Sequence, residues 1–279
     1  AAKITTPALG APFEPPLLRT TEEQAAKRAA LLKRLAALPE HLRLGVTLAG
    51  MRKLLAELPP DALEQVNLHN AKYPPNDSEN GYCNQYFITK WAKEAKEGQP
   101  EGDGLAVCER LQKQGSPHVG EATVFVSWYL NTTITTLLDA LANFLEQQGL
   151  REEDTYFWVC DYVIRQTDVK TDLAWLGECV SAVGHTVLLL EPWHAPDPLK
   201  RAYCIKEVYH TQKSGAQFDV VMSSAQQAAF EKALVDDFDS IQMSLSKVDV
   251  RTATCLNPDE TKRILDELEV GVGLVACNT

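Results

Sequence analysis

The sequence predicts an α/β fold: a doubly wound parallel sheet preceded by a helical N-terminal region. Three observations lead there. Residues 122–128 (ATVFVSW) form a short apolar, β-branched and aromatic run behind a turn-rich lead-in, the pattern of a strand buried on both faces. After it, strand-like and helix-like segments alternate almost to the C-terminus, which builds right-handed crossovers and parallel pairing. The helical segments carry start and stop signals of their own, such as Asn257-Pro258-Asp259-Glu260 at one beginning and Gly149 at one end.

Taken in order, residues 1–20 are an extended arm with Pro7, Pro12, Pro15 and Pro16 and no periodicity. Residues 21–119 read as a helical region. Thr21 and Gln24 make a capping-box pattern for a helix over 21–38, whose stripe is Ala25, Ala29, Leu32 and Leu35. Shorter helices are expected over 40–48, 51–58, 61–70 and 86–95, with polar loops at 72–82 and 96–104 and a last short helix over 107–112. Residues 120–279 form the α/β domain. Strands are expected at 122–128, 155–164, 185–190, 217–222 and 247–252. Helices are expected at 133–148, 168–182, 198–213, 225–235 and 257–268, and the tail 270–279 is apolar. Five strands in this alternation imply the flavodoxin-like order 2-1-3-4-5, with ligands at the carboxyl ends of the strands.

Composition narrows the classes. The chain has 279 residues, 45% hydrophobic and 23% charged, enough for a large core. No apolar run approaches the roughly 18 residues of a membrane span. The net charge of −11 lies almost wholly on residues 120–279, which argues against a nucleic-acid partner and for a basic protein surface. Seven cysteines stand without any Cys-x-x-Cys pair, so they read as free thiols in a reducing compartment. The chain begins at Ala1 with no signal-peptide pattern. The expectation is a soluble intracellular protein, imported into a plastid or mitochondrion after loss of a targeting segment.

Three stretches bear a family resemblance. Val124-Phe125-Val126-Ser127 is similar to a first-strand pattern closing on Ser, and the strand 186–190 is followed after a short loop by a helix. That helix holds residues 199–208 (LKRAYCIKEV), which resemble Ser-x-Trp-Cys-Leu-x-Glu-Leu. Together with the lead-in Gly-Ser-Pro-His-Val-Gly at 115–120, these resemble the divergent Toll/interleukin-receptor (TIR)-like domains of algal and other protist proteins, over about 120–255. The resemblance implies association with other TIR domains or protein partners. It also implies, for some members, cleavage of the nicotinamide–ribose bond of NAD by a glutamate, which by position is Glu207. A carboxylate suits that reaction because the ribose develops oxocarbenium character. The related domains place His after the first strand and Asn-Gln-His after the second; this chain has Trp128-Tyr129-Leu130 and Ile164-Arg165-Gln166-Thr167.

The candidate residues are therefore Glu207 as the catalytic acid, with Ser127, Trp128, Arg165 and Trp193 as ligand-binding residues. His210, one turn beyond Glu207, and the acids Asp161 and Glu191 are the other titratable candidates. On the bland reading Glu207 is a solvated helix residue pairing with Lys206 or Lys213, and the tryptophans belong to the core. No His/Cys/Asp cluster has metal-ligand spacing. No Gly-x-Gly-x-x-Gly, Walker A or Gly-x-Ser-x-Gly run occurs. The expectation is a non-catalytic TIR-like interaction module, an accessory or scaffold subunit of a larger assembly, with protein partners, self-association and no cofactor. The alternative is an NAD glycohydrolase using Glu207, for which NAD is the substrate. A nucleotide-binding sensor without turnover is the third reading.

Overall fold

The computed structural model describes residues 21–57, 104–130, 132–165, 167–255 and 257–275. The expected arm at 1–20, the helices at 61–70 and 86–95 and the loop at 72–82 lie outside these residues.

Among the described residues the sheet has six strands. They are β1 (Leu44–Val46), β2 (Val119–Glu121), β3 (Val124–Ser127), β4 (Phe157–Trp158), β5 (His185–Leu189) and β6 (Gln217–Val221), in the order β2-β1-β4-β3-β5-β6. β4, β3, β5 and β6 are mutually parallel, with Phe125 opposite both Trp158 and Thr186. That is the expected arrangement of the first four α/β strands, with β3 inside the sheet. β1 and β2 add an antiparallel pair on the β4 side.

Three expectations are corrected. The strand expected at 155–164 is only Phe157–Trp158; Cys160–Val163 is helical, with the Val163 amide donating to the Val159 carbonyl at 3.1 Å. The fifth strand at 247–252 is absent. The Asp249 side chain accepts the Arg251 amide at 3.0 Å and winds Val250–Thr252 into a 3-10 turn, local bonding that competes with a ladder. One parallel bridge, Arg201 to Thr254, follows it. Residues 40–48 are not one helix either. A 3-10 turn, Glu40–Arg43, leads into β1, and Gly45 makes that possible. A Cβ there would stand 2.9 Å from the Tyr156 carbonyl carbon and 3.0 Å from the Phe157 carbonyl atoms, closer than a side chain allows.

Helices cover the sheet in two groups. α1 (Thr21–Ala36) packs on α7 (Leu176–Val183), which lies against β3, β5 and α8 (Ala202–Ser214). α8 in turn carries α11 (Pro258–Gly271). The second group joins α2 (Leu48–Ala56) and α9 (Ser224–Asp236) to α4 (Ile134–Gln148), which packs against β6. α3 (Val107–Lys113), α5 (Cys160–Val163), α6 (Val169–Leu173) and α10 (Phe238–Leu245) complete the helices. None of the described helices is long and apolar enough to cross a membrane.

The core is continuous across position 119/120, the expected domain border. It joins Leu35–Met51 and Ala106–Cys108 to β3, α4, β4, α7 and β5. Phe125 stacks on Trp158 at 4.6 Å, and the Trp158 indole N–H donates to the Leu42 carbonyl at 3.0 Å. His41 Nε2 lies 2.9 Å from Asp172 Oδ1, both buried. A smaller cluster, including Ala202, Ile205, Ile264 and Leu268, fixes α11 to α8. The five described cysteines are free.

Candidate functional site

The site is built by strand alternation meeting helical spacing. On β3, Phe125 and Ser127 share one face. On α8, Glu207 and Thr211 share one face at a spacing of four. The α8 face lies on β3 and its neighbour β5: the Ser127 hydroxyl donates to Glu207 Oε2 at 2.5 Å, and one turn on the Thr211 hydroxyl donates to Thr186 Oγ1 of β5 at 2.8 Å. Glu207 thus stands beside the carboxyl end of β3, where this class of sheet places its ligands.

Beside it opens a cavity of about 340 Å³. Trp128, Tyr129 and Leu130 line it from the segment after β3, and Cys160, Asp161 and Ile164 from α5 and its end. α8 supplies Arg201, Tyr203, Cys204 and Glu207 around its first two turns, and the C-terminal segment supplies Cys255, Asn257 and Glu260. The volume is in the range of small-molecule pockets.

Burial raises two of the cavity's acids, Glu207 and Asp161. Glu207 is 8% exposed. Burial pushes its carboxyl up to about 8, against the opposing pull of the Ser127 hydrogen bond and the Lys206 charge. Asp161 is 2% exposed, and burial pushes it up to about 6. Beyond its own backbone amide, its recorded partner is the Cys160 thiol at 3.5 Å, a weak donor. Burial also raises the Cys160 and Cys204 thiols, so neither is a thiolate nucleophile near neutral pH. The Tyr203 hydroxyl donates to Glu260 at 3.1 Å, and Arg263 bonded to Glu260 holds that carboxyl below its ordinary range. The Arg201 guanidinium lies 5.4 Å over the Tyr129 ring. The indole N–H of Trp128 is buried without an acceptor in hydrogen-bond geometry, although the Cys160 thiol lies near it.

Of the residues expected at the site, Glu207, Ser127 and Trp128 come together. Arg165 and Trp193 do not line the cavity. The Arg165 guanidinium makes two bonds to Glu109, at 2.9 and 2.7 Å, so this cation is already engaged. Trp193 packs edge-on against Phe230 at 5.7 Å. Glu191 is not the partner of Asp161; it accepts the Ser223 amide at 2.6 Å, at the start of α9. His210 pairs with Glu267 at 2.9 Å, and burial lowers its affinity for a proton. The solvated reading of Glu207 is corrected too: Lys206 bonds Glu267 at 3.1 Å and is itself buried.

The cavity also takes in Asp161, Tyr203, Cys204 and Glu260, which carry no ligand motif in the sequence. Tyr203 and Cys204 precede Glu207 by four and three positions, so helical spacing alone puts them on its face. Nothing comparable marks Asp161 or Glu260, which tertiary packing brings in. Among the described residues no group of three or more His, Cys, Asp or Glu is placed to hold a metal ion. Comparison of the chain with protein-family models, curated proteins and solved structures finds no match.

Proposed function

We propose that the chain is a TIR-like module that works through contacts with other proteins, as an accessory or scaffold subunit, and does not turn over NAD. The observation that carries this reading is the state of Glu207. Stabilising an oxocarbenium-like ribose calls for an ionised carboxylate, and burial makes that form costly here, pushing the Glu207 carboxyl up to about 8. A diphosphate also needs cations to grip it, and Arg165 is spent on Glu109. For protein contacts, the α9–α10 region exposes Val235, Phe238 and Met243 at 85, 54 and 56%. Asp236, Asp237 and Asp239 stand beside them in the chain, which suits a basic partner surface.

The test is incubation of wild type and Glu207→Ala with NAD, following nicotinamide. No release by either is expected, and Phe238→Glu should weaken whatever assembly the wild type forms in cross-linking or sedimentation. Release by wild type that disappears in Glu207→Ala would overturn the reading.

A second reading, NAD glycohydrolase, draws on one observation: Glu207 does border a cavity at the strand ends, with Ser127 bonded to it. It becomes the first reading under the outcome just named.

A further inference from the structure

We infer that the cavity beside β3, α5 and α8 binds a small organic amine, recognised by the carboxyl groups of Asp161 and Glu207 and by the aromatic walls of Trp128, Tyr129 and Tyr203. The inference goes beyond the interaction role and does not depend on it.

Two independent features call for a ligand. The first is a pair of buried acids bordering one cavity, neither of them in an ion pair, although the Lys206 charge acts on Glu207 from nearby. Asp161 has the Cys160 thiol and Glu207 the Ser127 hydroxyl as side-chain partners. The nearby cations are engaged elsewhere: Lys206 with Glu267, Arg165 with Glu109, and Arg201 over Tyr129. Buried carboxyl groups in this condition are costly to ionise. The second is the Trp128 indole N–H, on a side chain 4% exposed in the cavity wall: it lacks an acceptor in hydrogen-bond geometry, and the Cys160 thiol, a weak acceptor, lies beside it. An amine with a neighbouring hydroxyl meets both needs, since its ammonium donates to carboxylates and its oxygen can accept from an indole N–H.

The walls choose among ligands. Leu130, Ile164, Leu173 and Leu176 are apolar and suit a hydrocarbon body, and aromatic faces attract a cation. An anion meets Asp161, Glu207 and Glu260 against Arg201 alone among the lining residues, so a phosphate-bearing ligand is disfavoured. A cavity of about 340 Å³ holds a one-ring amine with room to spare. Because Glu207 is mostly protonated at pH 7, an ammonium ion arriving beside it favours the carboxylate and expels a proton. Cys160, Cys204, Glu260 and the charges on Lys206 and Arg201 are the other groups near this pair. The two thiols stay neutral throughout.

The experiment is calorimetric titration of the full chain at pH 7 with 2-amino-1-phenylethanol, its uncharged counterpart 1-phenylethane-1,2-diol, and NAD. Buffers of different ionisation enthalpy are used. The amine is expected to bind at least about tenfold more tightly than the diol and to release protons. Asp161→Asn and Glu207→Gln, both shown folded by their melting curves, should each lower amine affinity by about tenfold or more. Glu207→Gln should also abolish most of the proton release. Equal binding of amine and diol, absence of amine binding by folded wild type, or amine binding unchanged in both variants would overturn the inference. NAD binding that displaces the amine would place a nucleotide in this cavity and also count against it.

Discussion

Replacing Glu207 by Gln should remove a pH dependence from the stability of the whole fold. The carboxyl is 8% exposed, and burial raises it from 4.5 to about 8. In that window the folded chain keeps a proton that the unfolded chain gives up. The folded state therefore binds more protons, and stability falls as pH rises. Each pH unit well inside the window lowers stability by about 1.4 kcal/mol, and the effect levels off near the folded value. From about pH 6 to about pH 8 the loss comes to roughly 2 kcal/mol. Gln keeps the shape and a hydrogen bond to Ser127 but has no proton to lose. Urea denaturation at half-unit steps across this range measures both proteins. Other titrating groups are common to both proteins and largely cancel in the difference. The expected result is a wild-type stability that falls relative to Glu207→Gln by about 2 kcal/mol as pH rises. Parallel profiles would refute the reasoning, because they would mean that Glu207 is ionised in the fold at ordinary cost.

Other perturbations test the frame around the site. Phe125→Ala removes a fully buried ring stacked on Trp158 and should cost about 3–5 kcal/mol by urea denaturation. Gly45→Ala drives a methyl into the backbone of Tyr156 and Phe157; a loss of about 1–3 kcal/mol is expected, with faster hydrogen exchange at residues 44–46 than elsewhere in the sheet. Glu109→Ala deletes both Arg165 bonds and the acceptor for the Ala106 amide. It should cost about 1–3 kcal/mol while leaving amine affinity at the cavity unchanged, since neither Glu109 nor Arg165 lines it.

The parallel part of the fold was legible because its signals are local. β3 is an unbroken apolar run, and α4 carries its buried leucine stripe and stops at Gly149, whose φ of 61° is the left-handed conformation glycine accommodates. The N-caps Thr133 and Ser223 fall within two residues of the expected helix starts at 133 and 225. β1 was not legible. Its three residues sit in a stretch with helix-like spacing, and its partners at 119–121 and 157 are far away in the chain. The strand at 247–252 failed for the opposite reason, a side chain that closes its own turn.

The site divides in the same way. Ser127 and Glu207 were placed by motifs at the end of a strand and on a helix, and their contact follows once the helix lies on the sheet. Asp161 required knowing that β4 ends at Trp158, so that the chain turns into α5 and brings this acid to the cavity instead of continuing as a strand. Arg165 looked like a free cation after a strand, and only the fold reveals Glu109 as its partner.

The protonation state of Glu207 bears on both proposals, that of a chain without NAD turnover and that of an amine-binding cavity, and it can be read directly. Infrared difference spectra between wild type and Glu207→Gln isolate this one carboxyl group. At pH 7 the difference should contain the C=O band of a protonated acid, giving way to a carboxylate band as pH rises through about 8, or at constant pH when the amine is added. A carboxylate band already dominant at pH 7 in the unliganded protein would contradict the account.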